Sequence, residues 1–280
     1  MNGRLSRRGG GRQAGAAFIA AAGARPYHPG VLSDPWFWAA AIPAVVMVGL
    51  SKGGLGPLGT LAVPILSLAI SPVQAAGLTL PIFVLSDIVA VVSYRRRFHA
   101  PTLKLMLPAA AAGIGAGWLA AAWISDDAVR LIVGAVSVLF ALNYWLRGRL
   151  QAEPAKPSAP KGMFWAAMSG FTSFVSHNGG APFQMYVLPL GFRPLVYAGT
   201  STIFFAVVNG AKLVPYFFLG QFKSANLEAA AILTPISVAC ALIGVRIVKV
   251  IDQRVFYRLI YVLMFAIGVF LIGQAVADWI

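Results

Sequence analysis

The sequence predicts an all-α protein, a polytopic transmembrane helical bundle of two inverted-topology repeats, each with a short broken helix pair that re-enters the membrane. Three observations lead there. Hydrophobic residues make up 59% of the chain and charged residues 11%, against about 25% charged in an ordinary soluble domain. Apolar stretches recur along most of the length instead of forming one anchor. Two glycine-rich interruptions, Ser51-Lys52-Gly53-Gly54-Leu55-Gly56-Pro57 and Ser176-His177-Asn178-Gly179-Gly180-Ala181-Pro182, fall at matching places in the two halves.

Residues 1–34 form a basic extension carrying Arg4, Arg7, Arg8, Arg12 and Arg25 around a weakly apolar run, Ala14 to Ala22. That run is too short to span a bilayer, and the extension reads as poorly ordered, with only a loose likeness to a secretory or twin-arginine signal. Apolar segments follow at 36–50, 57–70, 73–94, 102–124 and 128–146 in the first half. The second half supplies 163–177, 181–190, 195–219, 226–249 and 255–277. Several have the roughly 20 residues needed to cross the hydrocarbon core. The pairs 36–50 with 57–70, and 163–177 with 181–190, are shorter and are split by the glycine-rich breaks, where a helix cannot continue undisturbed. The polar linker 147–161 separates transmembrane repeat 1, residues 35–146, from transmembrane repeat 2, residues 162–280.

The halves align with one another. Lys52-Gly53-Gly54 matches Asn178-Gly179-Gly180, and after a four-residue contraction Pro72, Ala76-Gly77, Asp87 and Tyr94 match Pro194, Ala198-Gly199, Asn209 and Tyr216. The matched positions are polar, Gly and Pro residues, which apolar low-complexity sequence does not supply at will. Cationic loops set the orientation: Arg95, Arg96, Arg97 and Lys104, then Arg147, Arg149, Lys156 and Lys161, then Arg246, Lys249, Arg254 and Arg258, all assigned to the cytoplasmic side. Each broken pair then enters and returns, Arg193 falls inside as an interfacial anchor, and the two repeats run in opposite senses. The same scheme leaves the arginine-rich N-terminus outside, unless the 14–22 region crosses or is removed.

The formal net charge of +14 raises nucleic acid as a partner, but the cations flank apolar spans instead of forming a basic patch interleaved with exposed aromatics, so the partner is the lipid bilayer. The one cysteine, Cys240, lies in an apolar stretch and reads as a small buried hydrophobe. Only Lys52, Asp87 and Lys212 place a charge well inside apolar sequence, each costing roughly 2.5–3.5 kcal/mol at a helix centre unless paired or wet. They are the primary functional candidates, with Asn209 completing the coupling or charge-pair set through its alignment with Asp87.

A helix that begins in mid-membrane exposes unpartnered N–H groups and a partial positive charge, both suited to an anion. Gly53, Gly54, Gly56, Gly179 and Gly180 admit a ligand to the backbone, Lys52 adds a full charge, and Ser51, Ser176, His177 and Asn178 supply hydrogen-bond donors. The predicted substrate-binding set is therefore Ser51, Lys52, Gly53, Gly54, Gly56, His177, Asn178, Gly179 and Gly180. Tight helix packing is the competing reason for such glycines. A structural hydrogen bond is the competing reason for His177.

The segments GLSKGGLGPLG with a following PILSL, AAGLTLPIFVLSD, SHNGGAPFQMYVLPLGF and YAGTSTIFFAVVN make the chain similar to the sulfite exporter TauE/SafE family of membrane transporters over residues 36–279. The resemblance implies a multi-pass permease of the cytoplasmic (inner) membrane acting on sulfite, sulfoacetate or another sulfur-containing anion. The residues that carry it are Lys52, Gly53, Gly54 and Gly56 in the first copy and Asn178, Gly179 and Gly180 in the second. Residues 1–34 have no counterpart in the family pattern.

The expected function is a secondary transporter that moves a small anionic solute by alternating access. A proton or sodium gradient would drive it, since the chain has no P-loop, and no cofactor is required. The rival readings are an intramembrane enzyme and a non-transporting assembly protein. An enzyme is disfavoured because HExxH, GxSxG and metal-ligand clusters are absent from the sequence.

Overall fold

The computed structural model describes residues 31–70, 72–120, 126–147, 154–222 and 224–277; the extension's Ala14–Ala22 run and its arginines lie outside them. Asp34 caps the first long helix, its side chain accepting from the Trp36 N–H at 2.9 Å, and Pro35 takes a position where no N–H is needed. That helix, α1 (Pro35–Lys52), stops at Gly53-Gly54, where Gly54 adopts a φ of 115° that side chains rarely tolerate. The chain continues as a 3-10 helix, Gly56–Leu61, and α2 (Ala62–Leu66), then α3 (Pro72–Tyr94), α4 (Ala100–Ala120) and α5 (Asp126–Arg147).

The second half repeats the order. Helix α6 (Ala159–Ser176) ends at His177, whose φ of 57° turns the chain. Then come α7 (Gly180–Val187), a 3-10 turn Leu188–Leu190, α8 (Pro194–Phe218), α9 (Ser224–Val250) and α10 (Gln253–Ala277). The fold is all-α and polytopic: seven helices, α1, α3, α4, α5, α8, α9 and α10, are long and apolar enough to cross a membrane among the described residues. Most helices exceed their sequence-based bounds by a residue or two, and two extensions bear on the broken hairpins. Ser51 and Lys52 extend α1 to 18 residues, about 27 Å at 1.5 Å per residue. Helix α6 starts at Ala159, inside the stretch read as linker, because Pro160 fits a first helical turn.

The ends of each broken hairpin lie together. Trp36 Nε1 donates to the Leu68 carbonyl at 3.2 Å, so the first hairpin starts and finishes at one face. In the second hairpin, Ala155 N–H donates to Pro189 O at 2.8 Å and Gly191 lies against Pro154. That second pair of ends gathers with the α3–α4 loop, since the His99 ring packs on Phe192 at 4.8 Å, and with the start of α10, since Tyr257 Oη donates to Phe192 O at 2.8 Å. At this face Arg95, Arg96, Arg97, Lys104, Lys156, Lys161, Arg193, Arg246, Lys249, Arg254 and Arg258 are all exposed. The opposite end of α3 packs elsewhere, Gly77 lying on Gln221 and Asn226 between α8 and α9.

The main packing pairs correspond between the two halves. Helix α4 packs on α6 as α9 packs on α1, α3 on α9 as α8 on α4, while α5 with α10 and α3 with α8 pair across the middle. Small residues permit these approaches: Gly113 meets Ala167, Gly170 meets Ala110, Gly53 meets Gly244 and Gly134 meets Gly268. Backbones that close gain dispersion contacts that lipid tails would not replace. Large apolar side chains also cover the outer surface, among them Leu119, Leu139, Leu146 and Phe217, as a lipid solvent allows.

Candidate functional site

The intramembrane charges converge. Lys52, the last residue of α1, turns into the bundle and forms an ion pair with Asp87 of α3, Nζ to Oδ1 at 2.7 Å. The other carboxylate oxygen accepts from Asn209 Nδ2 of α8 at 2.8 Å. All three residues are buried. Lys52 Nζ also lies 4.7 Å above the Phe83 ring centroid, a cation–π contact, and Phe83 stacks on His177 at 5.7 Å between centroids. Successive turns of α3 thus hold the Lys52 cation, through Asp87 and Phe83.

Lys212, a little under one turn beyond Asn209 on α8, reaches the second break. Its Nζ donates to Ser173 O and Ser173 Oγ, both at 3.1 Å, which uses two of an ammonium's three donors. His177 Nδ1 is 3.4 Å from Tyr216 Oη, and its Nε2 is buried with no hydrogen-bond partner. Asn178 donates through Nδ2 to Ser176 Oγ at 3.1 Å, while its Oδ1 has no partner.

Between these groups lies a cavity of about 40 Å³ lined by both hairpins: Ser51, Lys52, Gly56, Gly59 and Thr60 from the first, Ser173, His177 and Gly180 from the second. Helix α3 contributes Phe83, and α8 contributes Ser201, Thr202, Phe205, Asn209 and Lys212. The volume suits about three waters or a small oxyanion. Helix α7 begins at the cavity wall; its first i→i−4 bond is Phe183 N–H to Gly179 O at 3.3 Å, and Pro182 carries no N–H. The Gly180 and Ala181 amides are therefore the orphan donors of that terminus.

The glycines of the two breaks fall into two groups. A β-carbon on Gly53 would sit 2.5 Å from Gly244 Cα, one on Gly54 2.8 Å from Ala198 Cβ, and one on Gly179 2.6 Å from Ser169 O. These three glycines permit packing. Gly56 and Gly180 differ, since nothing approaches their β-carbon positions closer than 3.6 Å and 3.4 Å respectively. Both line the cavity, and a β-carbon on either would make ordinary van der Waals contacts, with Gln184 and Ser201 at Gly56 and with Thr60 and Gln184 at Gly180.

Of the residues expected to bind substrate, Ser51, Lys52, Gly56, His177 and Gly180 line the cavity, and so do Asn209 and Lys212. Asp87 stands behind Lys52 and Asn209. Gly53, Gly54, Gly179 and Asn178 lie in the break segments outside the lining. Sequence reading missed Gly59, Thr60, Phe83, Ser173, Ser201, Thr202 and Phe205. Ser201 and Thr202 follow the aligned Ala198-Gly199 pair, so the repeat could have pointed to them; Phe83 carries no signal that separates it from a lipid-facing phenylalanine.

Two broken hairpins, with a cavity lined by Lys52 and Lys212 where they overlap, define a multi-pass helical membrane protein. The chain belongs to the sulfite exporter TauE/SafE family, whose model matches residues 41–271. Membership makes it a membrane transporter of sulfur-containing anions. No curated protein and no solved structure matches the chain.

Proposed function

We propose that the protein moves sulfite, sulfoacetate or another small organosulfonate across the cytoplasmic (inner) membrane by alternating access, the two repeats rocking about the cavity between their hairpins. The observation that carries this reading is the cavity itself, to which each half contributes residues of its break, Lys52 with Gly56 and His177 with Gly180. Discontinuous helices in corresponding places of two inverted halves are the arrangement secondary transporters use for substrate. The corresponding main helix pairs and the hairpin ends at opposite faces support an inverted pair, with repeat 1 at 35–146 and repeat 2 at 162–280. The exposed cations gathered at one face orient that face to the cytoplasm. A cavity of about 40 Å³ favours the smaller sulfur oxyanions, and a proton or sodium ion supplies the driving gradient.

The test is flux of radiolabelled sulfite in proteoliposomes. Wild type should show saturable, gradient-coupled flux, and Lys52→Ala, Asn178→Ala and Lys212→Ala should each reduce it strongly at equal reconstitution. Undiminished flux in all three would remove the cavity as the substrate site.

A further inference from the structure

Resting on the reading of this cavity as an anion site, we infer that it selects for a single negative charge, with Lys212 as the counter-charge and Asp87 cancelling Lys52. The charged and titratable groups facing the site are Lys52 from α1, Asp87 from α3, His177 from α6 and Lys212 from α8. Asp87 is fully engaged, Oδ1 with Lys52 at 2.7 Å and Oδ2 with Asn209 at 2.8 Å. Lys52 enters the cavity wall already neutralised by that partner. Lys212 does not: among the described residues its Nζ meets only the neutral Ser173 O and Oγ, and no carboxylate lies within ion-pair distance of it. With His177 uncharged the sum is two positive charges and one negative.

A buried site left at +1 is brought to neutrality by a monoanion and overshot by a dianion, whose second charge has no partner in a low-dielectric surround, so the rule favours hydrogensulfite and monosulfonates over the dianion sulfoacetate. The third donor of Lys212 and the Gly180 amide are groups left to meet the anion's oxygens. Asp87 therefore acts as the residue that sets the site's charge while touching Lys52 instead of the substrate. Removing its charge leaves the site at +2 and suited to a dianion.

The experiment uses two probes of nearly equal shape, methanesulfonate and sulfate, in which a methyl group replaces one oxygen and one charge. Binding to the purified full-length protein is titrated by thermal shift at matched ionic strength. Wild type should bind methanesulfonate at least about tenfold more tightly than sulfate. Lys212→Met should lose methanesulfonate binding, and Asp87→Asn should move the preference at least about tenfold toward sulfate. Wild type binding sulfate as tightly as methanesulfonate, or Lys212→Met keeping its methanesulfonate affinity, would overturn the charge rule while leaving an anion site in place. Binding of neither probe by wild type would overturn the anion reading and this inference with it. Should Asp87→Asn fail to fold, the wild-type preference and Lys212→Met decide the matter.

Discussion

Asp87 and Asn209, aligned with one another in the two halves and 122 residues apart, are hydrogen-bonded to each other, Asn209 Nδ2 donating to Asp87 Oδ2 at 2.8 Å. The contact lies where α3 packs against α8. The chemistry at that contact is asymmetric for a reason. Two carboxylates in contact would repel, and two amides would leave Lys52 buried without a counter-ion. One of each satisfies both the lysine and the hydrogen bond.

Asp87→Ala should destabilise the protein by about 3–5 kcal/mol, because removing one member of a buried pair strands the other charge. Thermal unfolding in mild detergent measures it. Lys52→Met with Asp87→Leu should recover most of the lost stability without recovering flux; a double variant no better folded than the single would show that the pair is not coupled.

Gly53→Ala should lower stability by about 1–3 kcal/mol or more through overpacking, since its β-carbon would meet Gly244 Cα at 2.5 Å and Ala241 O at 2.6 Å. Gly49 is in the same position against Ser237 and Cys240. Normal thermal stability and yield in both variants would show that α1 and α9 are not held in this close packing.

Tyr94 Oη donates to the Gly53 carbonyl at 2.6 Å, and Tyr216 Oη donates to the Phe174 carbonyl at 3.2 Å, so aligned tyrosines brace the two breaks. Tyr94→Phe leaves a buried helix-end carbonyl unsatisfied and should cost about 1–3 kcal/mol. Unfolding of Tyr94→Phe at the wild-type temperature would mean the bond contributes nothing.

Single cysteines in a Cys240→Ala background test the topology. Positions Arg96, Lys156 and Arg193 should react with an impermeant thiol reagent from the cytoplasmic side, and Leu68 and Gly220, both exposed, from the opposite side. Labelling of Leu68 and Arg193 from the same side would rule out oppositely entering hairpins.

Much of this fold was readable because lipid imposes two strong rules, length and backbone satisfaction, on every span. The breaks were legible since Gly53-Gly54 and Gly179-Gly180 stand out in apolar sequence, and Lys52, Asp87 and Lys212 since charge is rare there. Which glycine faces a ligand and which a neighbouring helix was not legible. Gly53 packs on α9, more than 180 residues away, whereas Gly56 opens onto the cavity, and only the tertiary arrangement separates them. The cavity face of α3 was hidden for a related reason: a helix apolar over most of its surface has no polar stripe to mark its buried face. Phe83 was therefore invisible as a lining residue.

The central claim is that both hairpins hold one anion at Gly56 and Gly180, and binding of sulfite to purified Gly56→Ala and Gly180→Ala proteins tests it most directly. Neither methyl group clashes with protein, so both variants should fold as wild type does, while each weakens sulfite binding by about tenfold or more. Unchanged affinity in either variant, with the fold intact, would contradict a site shared between the two halves.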